Sequence, residues 1–273
     1  MNFLFWSHCG IYFLGWVLCC LSYYQREQRA KVWGERLLVL GVVLQLIFIV
    51  ANYTMMNTLI FSSLSSLLMS LSLLLMLVLF ILNFFFPDQI FELVLPPLTI
   101  FFLILSVLSS DIPIISQGFL DRSTPFGQFL VVTHGILSML GYILFGIACL
   151  ASIFFLYQEK RIKNKTLLLQ QGRAPSLGLL DTIIYKMVIA GFLFLTVGLL
   201  LGINMSVSSY MGATRISLRQ VLPVFTWAVY SILLIHRSTV GIRGRNSAIW
   251  SIVGFSVAAI SFVYEIALLT QRI

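Results

Sequence analysis

Apolar residues in this chain do not alternate with polar ones. They run almost unbroken in eight stretches separated by short polar or charged segments. A helix needs about 20 apolar residues to cross roughly 30 Å of hydrocarbon, and these runs are near that length. They predict spans at Phe3–Tyr24, Leu37–Tyr53, Leu59–Phe86, Ile90–Ser109, Phe129–Tyr157, Ile183–Ser206, Leu218–His236 and Ala248–Thr270. The second run is short, and the third is long enough to tilt in a bilayer. The first lacks a basic leader and a small-residue cleavage site, so no removed signal peptide is expected. The fold class is therefore all-α: a polytopic integral membrane bundle of about eight transmembrane helices, organised as one membrane domain over 1–273. No internal repeat suggests a transporter built from inverted halves.

Composition agrees with the pattern. Of 273 residues, 60% are hydrophobic and 10% charged, with a mean hydropathy of +1.02. A soluble domain carries about 25% charged residues. The net charge of +8 does not point to nucleic acid, because no basic stripe with interleaved aromatics lies outside the spans. Thirteen of the cations fall in loops on one side: Arg26, Arg29, Lys31, Arg36, Lys160, Arg161, Lys163, Lys165, Arg173, Lys186, Arg237, Arg243 and Arg245. Four fall on the other: Arg122, Arg215, Arg219 and Arg272. Basic loops stay in the cytoplasm, which places both termini outside it.

Two inter-span segments have some size. The cytoplasmic one, Gln158–Thr182, is expected to continue the fifth helix into water as a basic extension, with Leu167–Leu169 on the bilayer surface. The outer one, Ser110–Gln128, has room for a lid or a surface helix. Pro96 and Pro97 lie inside the fourth span and should kink it, since each removes a backbone donor.

Candidate chemistry is sparse. Cys9, Cys19, Cys20 and Cys149 form neither a C-x-x-C nor a C-x-x-C-H, which excludes a thiol–disulfide site and covalent haem attachment of those types. They read as packing residues. Glu92 and Lys186 lie near span ends, where long side chains reach the interface, and Glu265 can pair with an outer arginine. His8 and His134 fall near the outer ends of the first and fifth spans, and His236 at the cytoplasmic end of the seventh. Neutral imidazole ligates iron well. His134 and His236 sit at opposite faces and cannot share one iron, which leaves His8 and His134 as the pair at similar depth. Ser138, Gly141, Tyr142 and Phe145 follow His134 on roughly one helix face. The glycine there admits either a flat ligand or a neighbouring helix. No paired carboxylates, nucleophile–base set, glycine-rich phosphate loop or zinc-type spacing is present.

Three blocks carry a resemblance. Thr133–Lys165 (THGILSMLGYILFGIACLASIFFLYQEKRIKNK) opens with a His at the outer start of a span and ends in a basic extension. Ala174–Gly202 has a P-x-L-x-x-L-D entry and a T-x-G-x-x-x-G exit. Trp227–Phe255 contains W-x-x-Y and G-x-R-G-R, formed by Trp227, Tyr230, Gly241, Arg243, Gly244 and Arg245. In this order they resemble the cytochrome c assembly family, in particular its HemX/YpjD-like branch, related to CcsA and ResC. The resemblance covers about 129–265; residues 1–128 match only in span number and texture.

The resemblance implies haem as cofactor. His134 falls at the family's outer axial-ligand position and would contact haem iron. His236 falls close to a family histidine in the seventh span, and His8 remains a further candidate. Arg122, Arg215 and Arg219 are placed to pair with propionates. Departures from the pattern matter too. Haem-presenting members carry a tryptophan-rich outer loop, but Trp6, Trp16, Trp33, Trp227 and Trp250 all lie outside Ser110–Gln128. The second outer His of larger members is missing. The branch's histidine in the second span is replaced by Gln45, a poor haem ligand. The expected role is therefore haem handling or c-type cytochrome assembly without the attachment enzyme's activity, in a bacterial cell (inner) membrane. The expected partners are the bilayer, haem and other assembly proteins, and not nucleic acid. Two alternatives are a cofactor-free regulatory partner of a cytoplasmic tetrapyrrole-synthesis enzyme and a transporter of haem or a precursor.

Overall fold

The computed structural model describes residues 2–25, 27–56, 63–86, 90–109, 125–164, 175–209 and 218–270. Within them the chain is helical: α1 (Asn2–Gln25), α2 (Gln28–Met56), α3 (Leu64–Phe85), α4 (Ile90–Leu108), α5 (Pro125–Lys163), α6 (Leu177–Ser209), α7 (Leu218–Thr239) and α8 (Arg245–Thr270). All eight are long and apolar enough to cross a membrane. The protein is a polytopic helical membrane bundle.

Several helices outrun their apolar stretches, for local reasons. The second span begins nine residues before Leu37, because Gln28–Arg36 continues the helix in polar sequence, where Lys31 and Glu35 pair at 3.6 Å one turn apart. The third starts later than expected, at Leu64: Ser63 caps it, and Ser63 and Ser66 bond reciprocally to each other's backbone N–H. The sixth begins at Leu177, because the Ser176 hydroxyl accepts from the Leu179 N–H at 3.2 Å. The basic extension of the fifth span is present, with α5 reaching Lys163.

The chain divides into two compact units, Met1–Ser116 and Gln117–Ile273. In the first, α1 packs on α2 and α4, and α3 packs on α4. Gly34 and Gly41 of α2 make room for Cys19 and Tyr12 of α1: a Cβ at either would lie 2.7 Å or less from those side chains. α4 runs through Pro96 and Pro97. Pro97 has no N–H for the Leu93 carbonyl four residues back, and the Trp16 indole of α1 donates to that carbonyl instead, at 2.9 Å.

In the second unit α5 is the axis. α6 and α8 pack against it, and α7 packs on α6 and α8. Its buried face includes Met139, Phe145, Ala148, Cys149, Ser152 and Phe155. α5 and α6 approach through small residues. A Cβ on Gly141 would come 3.2 Å from the Gly191 carbonyl, and one on Gly198 would come 2.7 Å from the Ser138 hydroxyl. Gly141 thus serves helix packing: α6 fills the space that a flat ligand would need.

Candidate functional site

One site is built at the end of the second unit that carries His134. The half-buried imidazole of α5 lies across α6, where its Nδ1 is 2.7 Å from the Gly198 carbonyl oxygen. A carbonyl only accepts, so Nδ1 carries the proton and donates it. In the neutral ring Nε2 then holds the lone pair, the form in which histidine binds iron. Gly202, one turn further along α6, provides the floor. A Cβ there would sit 2.7 Å from Cε1 of His134.

This geometry accounts for the T-x-G-x-x-x-G of α6. Thr196 accepts a hydrogen bond from the Trp227 indole at 3.0 Å, Gly198 supplies the carbonyl and the space for Ser138, and Gly202 supports the imidazole. Phe192 stacks on Trp227 at 5.5 Å, tying α7 to the same face of α6. Further along, Phe145 and Tyr230 stack at 3.6 Å and 5°. The Tyr142 and Ser261 hydroxyls lie 3.4 Å apart, between α5 and α8.

A second cluster stands at the opposite, basic end of this unit. Arg237 of α7 forms a two-pronged pair with Asp181 of α6, at 2.7 and 3.1 Å, and donates to the Ser247 hydroxyl of α8 at 2.5 Å. Its guanidinium lies 4.4 Å from the centre of the Tyr185 ring. Asp181 also accepts from the Gly244 N–H at 3.0 Å, at the start of α8. Gly241 and Gly244 have φ of +74° and +65°, a conformation costly for side-chain-bearing residues. Gln158 donates to the Pro175 carbonyl at 2.9 Å. The P-x-L-x-x-L-D and G-x-R-G-R motifs therefore meet in one clasp that fixes the starts of α6 and α8 and the end of α7.

The first unit has a polar interior of its own. Gln45 is fully buried: its carbonyl accepts from the Tyr12 hydroxyl at 2.7 Å, and its amide donates to Ser72 at 2.8 Å and to the Met69 carbonyl at 3.1 Å. At this position the side chain braces α1, α2 and α3, with both its oxygen and its nitrogen engaged. His8, one turn from Tyr12, is buried between Phe5 and Phe48, with ring centroids 5.2 and 5.5 Å away. Glu92 does not snorkel to an interface as its sequence position suggested. It is 3% exposed and accepts from the Asn83 amide at 2.7 Å.

His134 thus sits in a tuned setting in the second unit, while His8 belongs to the first unit. His236 is exposed on α7, at the basic end of the second unit. The second unit therefore brings no second imidazole to His134 among the described residues. Arg122, Arg215, Arg272 and Leu167–Leu169 lie outside the described residues, as does nearly all of Ser110–Gln128, and the side chains of Arg219 and Glu265 are likewise outside them. Cys9, Cys19 and Cys149 are buried free thiols, as expected of packing residues. Sequence reasoning missed Asp181 and treated Arg237 as a topology charge. The available signal was the place of Asp181 inside the P-x-L-x-x-L-D motif and of Arg237 just before G-x-R-G-R.

The family model for the cytochrome C assembly protein matches residues 35–269, so the likeness reaches well into the first unit, beyond the 129–265 carried by the motifs. Protein HemX of Brevibacillus brevis is 27% identical over 134 residues, 49% of this chain and 49% of that protein. The cytochrome c biogenesis protein CcsA of Atropa belladonna is 31% identical over 83 residues, 30% of this chain and 27% of that protein. CcsA of Prochlorococcus marinus is 32% identical over 84 residues, 31% of this chain and 27% of that protein. The matched stretch thus spans about half of the HemX relative and about a quarter of the CcsA relatives. No solved structure gives a significant match. With the motifs gathered into two sites of one helical unit and the model matched over most of the length, the chain belongs to the cytochrome c assembly protein family.

Proposed function

We propose that this protein handles haem during assembly of c-type cytochromes, binding or presenting it without being the attachment enzyme, and that His134 is its iron contact. The observation that carries the reading is the Nδ1 hydrogen bond to the Gly198 carbonyl, which sets the tautomer and raises the basicity of Nε2. Haem would supply an iron centre that accepts a nitrogen donor, and His134 would hold it. The residues of this chain orient the imidazole: Gly202 supports its edge, and the Thr196–Trp227 contact holds α6 and α7 together beside it. Beside Gly198 and Gly202 the described residues offer one imidazole, that of His134, to hold the iron. Arg122, Arg215 and Arg219 would pair with propionates. The absence of tryptophan between Ser110 and Gln128 supports a role other than attachment.

The reading extends to orientation in a bacterial cell membrane, with His134 and both termini outside and the Asp181–Arg237 clasp at the cytoplasmic face. Deletion of the gene tests the role. Membranes of the deletion strain should lose haem-stained c-type cytochromes, and wild type but not His134→Ala should restore them. Unchanged cytochromes in the deletion strain would refute it.

One observation favours a second reading, regulation of a tetrapyrrole-synthesis enzyme at the cytoplasmic face. α5 ends in a basic extension, with Lys160 and Lys163 exposed and Arg161 5.7 Å from the Tyr157 ring centre, and this reading puts that end in the cytoplasm. Capture of that enzyme by wild type, lost when Lys160, Arg161 and Lys163 are changed to Gln, would support it.

A further inference from the structure

At one end of the first unit two carboxyl groups from different helices come together. Gly34 of α2 lies against α1, where a Cβ would sit 2.7 Å from the Cys19 Sγ. Leu93 of α4 lies against the same stretch of α1, its carbonyl accepting from the Trp16 indole at 2.9 Å. Glu35 and Glu92 are the chain neighbours of these two residues, and their side chains are hydrogen-bond partners. α1 packs against both α2 and α4, so this contact adds a direct link between two helices that α1 already joins.

A hydrogen bond between two carboxyl groups requires a proton on one of them, because two carboxylates offer acceptors only. The surroundings decide which one holds it. Lys31, one turn before Glu35 on α2, lies 3.6 Å from the Glu35 carboxylate, and that side chain is 40% exposed. Glu92 is 3% exposed, and among the described residues no cation lies within ion-pair distance of it. Asn83 of α3 donates to Oε1 of Glu92 at 2.7 Å, which leaves Oε2 to carry a proton toward Glu35. From α1 the titratable group facing the pair is the buried Cys19 thiol. Two carboxylates at such range and away from water repel each other strongly, whereas one shared proton turns the repulsion into a bond.

We infer that Glu92 is a neutral carboxylic acid in the folded protein, that it donates its proton to the Glu35 carboxylate, and that this proton fastens α4 to α2. Losing the proton sets two negative charges side by side and opens the link, so the first unit contains a pH-sensitive joint. The joint is independent of haem binding at His134, which belongs to the second unit.

The test compares the full-length wild type with Glu92→Gln. Glutamine imitates the protonated acid, since its oxygen accepts from Asn83 and its amide donates to Glu35. Infrared spectroscopy in lipid at neutral pH reads the proton directly. The wild type should show a carboxylic-acid C=O stretch that shifts in D2O and has a component missing from Glu92→Gln. No such band, or one unchanged in Glu92→Gln, would overturn the proposal. Thermal unfolding in detergent reads the joint. A proton held in the folded chain and released on unfolding contributes less stability as pH rises. Wild-type Tm should therefore fall by a few degrees relative to Glu92→Gln between about pH 6 and 9. A difference that stays constant over that range would overturn the joint.

Discussion

At His134 one backbone hydrogen bond makes the two imidazole nitrogens different, which supports its proposed role as the iron contact. The same contact makes Gly202 a sensitive position, because a methyl group there meets the ring edge at 2.7 Å. We expect Gly202→Ala to weaken haem retention by roughly 10- to 100-fold, the usual cost of disturbing a ligand's supporting contacts, as measured by haem titration of the purified protein. His134 was legible in the sequence because a histidine at the mouth of an apolar run stands out. Gln45 was legible only as a departure, and its brace to Tyr12 and Ser72 was not, since sequence spacing does not tell which helices touch. Glu92 was misjudged for the same reason: position near a span end permits a carboxylate to reach water, but Asn83 turns it inward.

Two devices hold the helices at the level of elements. The first is the replacement of a backbone donor by an indole, Trp16 to the Leu93 carbonyl. Trp16→Phe should destabilise the protein by about 1 kcal/mol, the scale of interhelical hydrogen bonds in membranes. Trp16→Phe combined with Pro97→Ala should recover much of that loss, because the substitution at position 97 brings back a backbone N–H for the Leu93 carbonyl. Thermal unfolding of the single and double variants checks the pattern, and equal losses in both would contradict it. The second device is the Asp181–Arg237 clasp. Removing one partner of a largely enclosed pair costs on the order of 3 kcal/mol. Arg237→Gln should therefore lower Tm more than Arg237→Lys, which keeps the charge but loses the fork. Helix number was readable from apolar runs alone. Helix ends were less so, because α2 and α6 begin in polar sequence where a side-chain pair or a cap, not hydropathy, carries the helix.

For the whole molecule, membrane embedding and the eight apolar helices among the described residues followed from composition and run length. The division into two four-helix units did not, since hydropathy is blind to neighbours. Orientation rests on the thirteen cations against four. A single cysteine at Asn164, just past the end of α5, should react with an impermeant maleimide in inside-out vesicles and not in intact cells, once the four native cysteines are replaced. The reverse would put His134 on the cytoplasmic side. The most direct measurement is the absorption spectrum of the detergent-purified protein expressed with ample haem, wild type beside His134→Ala and His236→Ala. We expect a Soret band that weakens in His134→Ala and persists in His236→Ala. No band in the wild type, or a band indifferent to His134, would contradict haem handling at this site.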